Sequence, residues 1–314
     1  MNAIKKRKNY IEISCRRQFN KLGISRVIAT VSGGADSVAM LSAVRASGAE
    51  VIAAHCNFHL RGEESMRDEE HVREICSRLD VELKTIDFDV EAYISSHKGI
   101  SEEMACRELR HNWFNHLLTE LKADRIATGH NADDNIETLF LNLLRGSGTS
   151  GLRGMLPDTG KIWRPLLSFH RPEIIEYISE KNLSFVTDST NLESDYRRNF
   201  LRNDIIPLLR SRWAGFDKAL DRSISLLREE NKVITASVTA NLPTPDNPLP
   251  TATIANFPDP ELLVRRYIEP VGPFTTTSSE VIAAIAANKP DIKTWKLRNG
   301  SLRLQNHLLY LIPK

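Results

Sequence analysis

Only four of the 314 residues are cysteines, Cys15, Cys56, Cys76 and Cys106, and no two of them form a Cys-x-x-Cys pair. That scarcity excludes a disulfide framework and a zinc ribbon and points to a reducing compartment. No apolar run approaches the roughly 20 residues that a bilayer crossing requires, so no membrane partner is expected. The segment MNAIKKRKNY is basic but leads into no apolar core, so no secretory signal is expected either, and the expected location is cytoplasmic. Excess charge of one sign is missing too. The net charge is +2, from 42 Lys and Arg against 40 Asp and Glu, too little by itself to mark a nucleic-acid binder. Basic residues cluster only locally, in Lys5–Lys8, in Tyr196-Arg197-Arg198-Asn199-Phe200-Leu201-Arg202, and at Arg210 and Arg212. Such runs are commonly solvated faces. There is no internal repeat and no long low-complexity tract.

What is present is an alternation of β-branched runs and helical patterns. Strands are expected at Arg26–Val31, Glu50–Asn57, Glu82–Phe88 and Arg125–Gly129, with helices at Ser37–Ala46, Glu63–Leu79, Glu102–Leu121 and Asp133–Leu144. Strands separated by helices of this length pair in parallel through right-handed crossovers. The expected fold is therefore α/β, a doubly wound, mainly parallel sheet, with ligands at the carboxyl ends of its strands. Beyond it the chain gives a helix at Pro172–Asn182, a short strand near Ser184–Val186, and a helix over Arg198–Trp213 interrupted at Pro207. A long helical segment follows from Phe216, then a proline-rich stretch at Leu242–Pro250. Helices near Pro260–Ile268 and Ser278–Ala287 precede Asn299-Gly300, which sits between alternating apolar residues as a hairpin signal. The expected division is residues 1–212 as the catalytic domain and 213–314 as a smaller, mainly helical domain ending in a β-hairpin.

The stretch Ile28-Ala-Thr-Val-Ser-Gly-Gly-Ala-Asp-Ser37 leaves a strand and enters a helix through two glycines. It has no Lys-Ser or Lys-Thr at the spacing of a common P-loop and no G-x-G-x-x-G fingerprint. It does carry the parts of an anion cradle: Gly33 and Gly34 to turn N–H groups inward, hydroxyls from Ser32 and Ser37, and a helix N-terminus. Asp36 makes little sense against a phosphate and good sense as a Mg²⁺ ligand beside one. A capped strand–helix turn with Asp36 as a first-turn acid remains the plain alternative. In Gly129-His-Asn-Ala-Asp-Asp-Asn-Ile-Glu137, residues 130, 133, 134 and 137 fall on one helical face by spacing. Three carboxylates there either complement the helix dipole or hold a metal and a cationic substrate; zinc is disfavoured without a second His or Cys nearby.

Ser32-Gly-Gly-Ala-Asp-Ser37 resembles the pyrophosphate-binding loop of the N-type ATP pyrophosphatase, or PP-loop, superfamily. The later motifs are His55-Cys-Asn-Phe-His-Leu-Arg61, Gly129–Thr138, Arg145-Gly-Ser-Gly-Thr-Ser-Gly-Leu-Arg-Gly-Met155, Arg164-Pro-Leu-Leu167, Asp188-Ser-Thr-Asn191 and Arg198-Asn-Phe-Leu-Arg202. In that order they resemble the tRNA(Ile)-lysidine synthetase family over roughly residues 24–212. Two departures stand out: Phe58 occupies a position where the family usually has histidine, with His59 one place later, and Asn135 stands where glutamine is usual.

The resemblance implies ATP and Mg²⁺ as cofactors, and free L-lysine and a CAU-anticodon isoleucine tRNA as partners. It implies ATP contacts from Ser32, Gly33, Gly34, Ala35, Asp36, Ser37, His55, Asn57 and Gly129, and Mg²⁺ on Asp36 and Asp134. Lysine would meet His130, Asp133, Asp134 and Glu137, and tRNA would meet Arg107, Arg110, Arg145, Arg198 and Arg202. Asp36, Arg107, His130, Asp133, Asp134 and Glu137 form the implied catalytic set. Arg107 and Arg110 could instead be surface partners of Glu103 and Glu108. A homodimer stays open. The alternatives are a tRNA thiolase of the same superfamily, which would need a reactive cysteine or an iron–sulfur site, and a nucleotide-binding regulator without chemistry.

Overall fold

Five parallel strands in the order β3-β2-β1-β4-β5 form the sheet of the first unit in a computed structural model, which describes residues 9–186, 197–244, 247–271, 275–287 and 292–314. The chain divides into two compact units, Met1–Leu227 and Arg228–Lys314. In chain order the first contains α1 (Tyr10–Leu22), β1 (Arg26–Thr30), α2 (Ala35–Ala46), β2 (Glu50–Asn57), α3 (Glu63–Arg78), β3 (Glu82–Asp87), α4 (Val90–Ser96) and α5 (Glu102–Glu120). It continues through β4 (Arg125–Ala127), α6 (Ala132–Leu144), α7 (Thr149–Leu152), β5 (Ile162–Trp163), α8 (Arg171–Glu180), α9 (Arg197–Phe200) and α10 (Ile206–Arg212). Helix α11 (Phe216–Asn241) is divided between the units.

The central strands are buried on both faces, so they read as continuous apolar runs: Val27, Ile28 and Ala29 in β1 have no exposed surface. One core lies where α1, α2 and α8 cover β1 and β2, built from residues such as Met40, Leu41, Trp163, Phe169 and Ile174. Trp163 is fully buried, and its indole N–H donates to Gln18 Oε1 at 3.0 Å, which joins β5 to α1. The opposite face packs Ile28, Ala54 and Ile126 against Phe114 and Leu117 of α5. The chain moves outward from β1 through β2 to β3, then returns to the other side of β1 with β4. This reversal opens a crevice at the carboxyl ends of β1 and β4, where such sheets bind ligands.

The segment 184–186 is not a strand. Val186 instead donates its N–H to Gly33 O at 3.0 Å, a single contact with a loop rather than a ladder. Pro207 does not break its helix either. It sits in the first turn of α10, directly after a π-helical turn over Leu201–Ile205. Proline lacks an N–H, and a wide turn just before it accommodates the missing bond. In the second unit, β6 (Leu249–Pro250), α12 (Thr251–Asn256), α13 (Pro260–Ile268), α14 (Thr275–Ala286), β7 (Lys293–Leu297), β8 (Gly300–Gln305) and β9 (Leu308–Pro313) build helices over a four-stranded antiparallel sheet, ordered β6-β9-β8-β7. The Asn299-Gly300 hairpin is therefore one of two, the second turning at Asn306 and His307, both with positive φ. No described helix is long and apolar enough to cross a membrane.

Candidate active site

The loop after β1 folds on itself through its serines. Ser37 Oγ donates to Gly34 O at 2.9 Å and accepts from the Ser32 N–H at 3.2 Å, while Ser32 Oγ closes on Ser37 Oγ at 3.3 Å. Gly33 has φ +88°, and a Cβ there would stand 2.9 Å from Val186 Cγ2, so conformation and space both require glycine. No side chain caps the start of α2, which leaves its first N–H groups and its positive end to an anion. His55 and Asn57, at the end of β2, are buried and engaged with protein groups. His55 Nδ1 lies 2.8 Å from Val31 O, tying β2 to the residue before the loop, and Asn57 Nδ2 donates to Glu69 Oε2 at 2.8 Å.

Asp36, in the first turn of α2, faces the loop that follows β4. Its Oδ1 accepts from Asn131 Nδ2 at 3.0 Å and its Oδ2 accepts from Arg171 Nη1 at 2.8 Å. Burial raises the Asp36 pKa, and Arg171 and the Asn131 amide oppose that shift. Gly129 allows the close approach: a Cβ there would stand 3.0 Å from Asp36 C and O and from Ser37 N. Asn131 is also the N-cap of α6. Its Oδ1 accepts from the Asp134 N–H at 3.0 Å, and Asp134 Oδ2 accepts from the Asn131 N–H at 2.9 Å, a reciprocal capping box. One asparagine thus connects the carboxylates of Asp36 and Asp134. Both offer hard oxygen donors next to an anion cradle, the chemistry that suits Mg²⁺.

The acids of α6 divide into two groups. Asp134 and Glu137, one turn apart, share two guanidinium groups delivered by α9 and the π turn. Arg198 donates through Nε to Glu137 Oε2 at 2.6 Å and through Nη2 to Asp134 Oδ1 at 3.0 Å. Arg202 donates through Nε to Glu137 Oε1 at 2.6 Å and through Nη2 to Asp134 Oδ1 at 3.0 Å. Glu137 is 1% exposed. Ile136, Leu201 and Ile206 pack together beneath these pairs, so an apolar contact sets their register. Asp133, adjacent in sequence to Asp134 and one turn from Glu137, takes a different set of partners. Its Oδ2 accepts from the Arg171 N–H at 2.7 Å, its Oδ1 accepts from Arg210 Nη2, and His170 Nδ1 lies 3.7 Å from Oδ2. Burial works to raise the Asp133 pKa, but His170, the Arg171 N–H and Arg210 hold it well below the usual carboxylate range. Asp134 and Glu137 therefore share the same two guanidinium groups, and Asp133 is engaged elsewhere.

His170 bridges Asp133 and Asp221, with Nε2 2.9 Å from Asp221 Oδ2, and the two carboxylates push its pKa up to about 10. Asp133, His170 and Asp217 have ligand atoms within 4.8 Å of one another, the one group of three with metal-ligand spacing among the described residues. Arg210 donates to both carboxylates of that group, through Nη2 to Asp133 and through Nε to Asp217 at 2.8 Å, and already supplies its positive charge.

His130 lies just before the cap of α6, its Nδ1 2.8 Å from Thr128 Oγ1. Burial, with Arg164, Arg198 and Arg107 adding to it and Asp134 opposing, pushes the His130 pKa down to about 4. Arg164, from the Arg-Pro-Leu-Leu motif, donates through Nη1 to Leu156 O at 2.8 Å, while its buried Nε has no described partner. Arg107 and Arg110 are exposed on α5 and form no ion pair among the described residues; Glu108 accepts from Tyr93 OH at 3.0 Å instead. Arg110 lies 5.6 Å over the Phe58 ring, which stacks on Phe88, so Phe58 serves as an aromatic platform. His59 turns outward with φ +54° to pair with Asp87 at 2.6 Å. Asn135 is buried and accepts the Met155 N–H at 2.7 Å, holding the glycine-rich stretch against α6. Arg145 is exposed after α6, and Asp188–Asn191 lies outside the described residues.

Sequence reasoning missed Asn131, Arg171 and His170 as organisers of the site. The capping pattern Asn131-Ala-Asp-Asp134 was legible. Nothing local marks Arg171 as the partner of Asp36, 135 positions away.

The PP-loop domain family matches residues 8–209. The chain is 41% identical over 251 residues to a tRNA(Ile)-lysidine synthase of Bacteroides thetaiotaomicron, covering 79% of this chain and 58% of that protein. It is 36% identical over 262 residues to the corresponding protein of Parabacteroides distasonis, covering 82% and 60%. With that of Chlorobaculum tepidum it shares 43% over 215 residues, covering 67% and 64%. The chain thus spans about three-fifths of the length of these relatives. Among solved structures, a U34-tRNA thiolase of Methanococcus maripaludis superposes with a TM-score of 0.57 at 19% identity, covering 71% of this chain and 79% of that one, a likeness of fold. The cradle after β1, the acids and arginines converging on it and the match across residues 8–209 agree: this chain belongs to the PP-loop family of ATP-binding domains.

Proposed function

We propose that the chain is a tRNA(Ile)-lysidine synthetase, ligating free L-lysine to carbon 2 of the wobble cytidine in a CAU-anticodon isoleucine tRNA in the cytoplasm. The observation that carries this reading is the pair of half-buried Asp134 and fully buried Glu137 beside the pyrophosphate cradle, matched by guanidinium groups that a cationic substrate can replace. The names of the relatives above support it. Residues 1–212 would perform the chemistry and 213–314 would contact tRNA, whose recognition rests largely on shape and phosphates.

In the first step the cytidine O2 attacks the α-phosphorus of ATP; the new O–P bond forms as the bond to pyrophosphate breaks. Ser32, Ser37 and the first N–H groups of α2 receive the pyrophosphate. Asp36 and Asp134 would hold Mg²⁺, which when bound offsets charge on the phosphate oxygens. In the second step the ε-nitrogen of lysine bonds to C2, the C2–O bond breaks, and AMP leaves with that oxygen. Lysine must first shed a proton from an ammonium group of pKa near 10.4. A His130 imidazole with a pKa of about 4 is a weak base for that task, so His130 orients substrate, the carboxylates of Asp134 and Glu137 hold the ammonium, and the proton it sheds passes to solvent.

The thiolase alternative is less well supported. Burial raises the pKa of all four thiols, Cys15 and Cys56 to about 12 and Cys76 to about 11, the reverse of a poised thiolate. A regulator without chemistry would not need a fully buried glutamate paired with a second carboxylate beside the cradle. The deciding experiment is AMP and pyrophosphate release from ATP with CAU-anticodon isoleucine tRNA, with and without radiolabelled lysine. Label in tRNA alongside AMP supports the reading. AMP without lysine transfer, with a sulfur donor then labelling the tRNA, moves the chain to the thiolase branch, and no AMP at all favours the regulator.

A further inference from the structure

Arg171 sits at the first position of α8 with two distinct attachments. Its backbone N–H is fixed to Asp133 at 2.7 Å, while its guanidinium reaches across to Asp36 at 2.8 Å. The side chain is 52% exposed, and beyond Asp36 no other partner of its guanidinium is described. The main chain is therefore anchored and the charged end is held by one ion pair. Asp36 has both oxygens engaged, Oδ1 by a neutral amide and Oδ2 by this cation. A divalent ion binding Asp36 can share the carboxylate with the amide, whose dipole adds no net charge. Sharing it at close range with an exposed guanidinium is less favourable, because the two cations repel. The side chain is long and flexible, and its guanidinium already reaches Asp36 within the Ser32–Ser37 loop, where pyrophosphate oxygens would present paired acceptors to its planar fork.

We propose that Arg171 is a positioning residue with two alternating partners, Asp36 and the pyrophosphate group of ATP. It competes with the divalent cation for Asp36 and, once displaced, binds the phosphate oxygens in the cradle. This inference rests on the PP-loop reading of the site but not on lysine or tRNA as substrates. It ties release of Asp36 to arrival of the anion: cation and pyrophosphate each free the group that the other needs. A purely structural ion pair between α2 and α8 would show no such coupling.

The test uses the whole chain with ATP, inorganic pyrophosphate and Mn²⁺ as a spectroscopic stand-in for Mg²⁺, without tRNA or lysine. In Arg171→Ala, pyrophosphate affinity measured by calorimetry should fall about tenfold, the loss of a charge-assisted contact. Mn²⁺ binding read by electron paramagnetic resonance should instead tighten several-fold, because the competing cation is gone. Arg171→Lys should keep part of both effects, since it retains charge without the fork. Adding Asp36→Asn to Arg171→Ala should abolish the Mn²⁺ gain. Opposite movement of the two affinities supports the proposal. Unchanged affinities, or a parallel loss of both with lowered thermal stability, overturn it and assign Arg171 to structure. Either result stands whether or not lysine is later found to be transferred.

Discussion

Arg202 Nε donates to Glu137 Oε1 at 2.6 Å, joining the π turn after α9 to a carboxylate that is 1% exposed on α6. Arg198 meets the other oxygen of the same carboxylate at the same distance. Removing one partner of a buried ion pair strands the other charge, at roughly 3–5 kcal/mol when no second partner remains. Because Glu137 has two, Arg202→Ala should cost less, roughly 1–3 kcal/mol, and Arg198→Ala with Arg202→Ala more than the sum of the single changes. Urea denaturation of the single and double variants measures this; strict additivity would show that the pairs act independently.

Asp36→Ala should abolish AMP formation, because the carboxylate that would hold Mg²⁺ is gone. Normal AMP release from that variant removes Asp36 from the metal role.

Gly129→Ala places a methyl group 3.0 Å from the backbone of Asp36 and Ser37, where only main-chain movement can relieve it. We expect the start of α2 to shift and ATP affinity to fall, by about tenfold if one charge-assisted contact is lost. Calorimetric titration with ATP checks it, and unaltered affinity would mean that the loop absorbs the displacement.

The His170 bridge gives a pH signature. Its pKa is raised from 6.5 to about 10 in the folded chain, so folding holds a proton that the unfolded chain releases. The stability it contributes is complete below about pH 6.5 and is lost as pH rises toward 10. The difference in Tm between the native chain and His170→Gln should therefore be largest at pH 6 and shrink as pH approaches 10. His130 acts in the opposite direction. Its depressed pKa means stability is lost as pH falls from 6.5 toward 4, because the unfolded imidazole takes up a proton first.

Arg107 and Arg110 are exposed and form no ion pair among the described residues. If they contact phosphates, Arg107→Ala and Arg110→Ala should each weaken tRNA binding and reduce the slope of log affinity against log salt by about 1. An unchanged slope assigns them to α5 itself.

The local rules by themselves determined much of this protein. Apolar runs such as Val51–Ala54 stand as strands because a parallel sheet covered by helices buries both their faces, and the glycines after β1 announced a turn into α2. The Asn299-Gly300 pair marked its hairpin for the same reason: local backbone preference and hydrophobic alternation act over a few residues. Tertiary structure alone decided the partners of the charges. Spacing put Asp133 with Asp134 and Glu137, yet spacing names no partner, and only the packed positions of α8 and α10 reveal that Asp133 meets His170, Arg171 and Arg210. Arg171 and Asp36 likewise meet across 135 residues, in a pairing set by how the crossover helices pack on the sheet. An ion pair carries no periodicity, so its partners become visible only when the fold has brought them within reach.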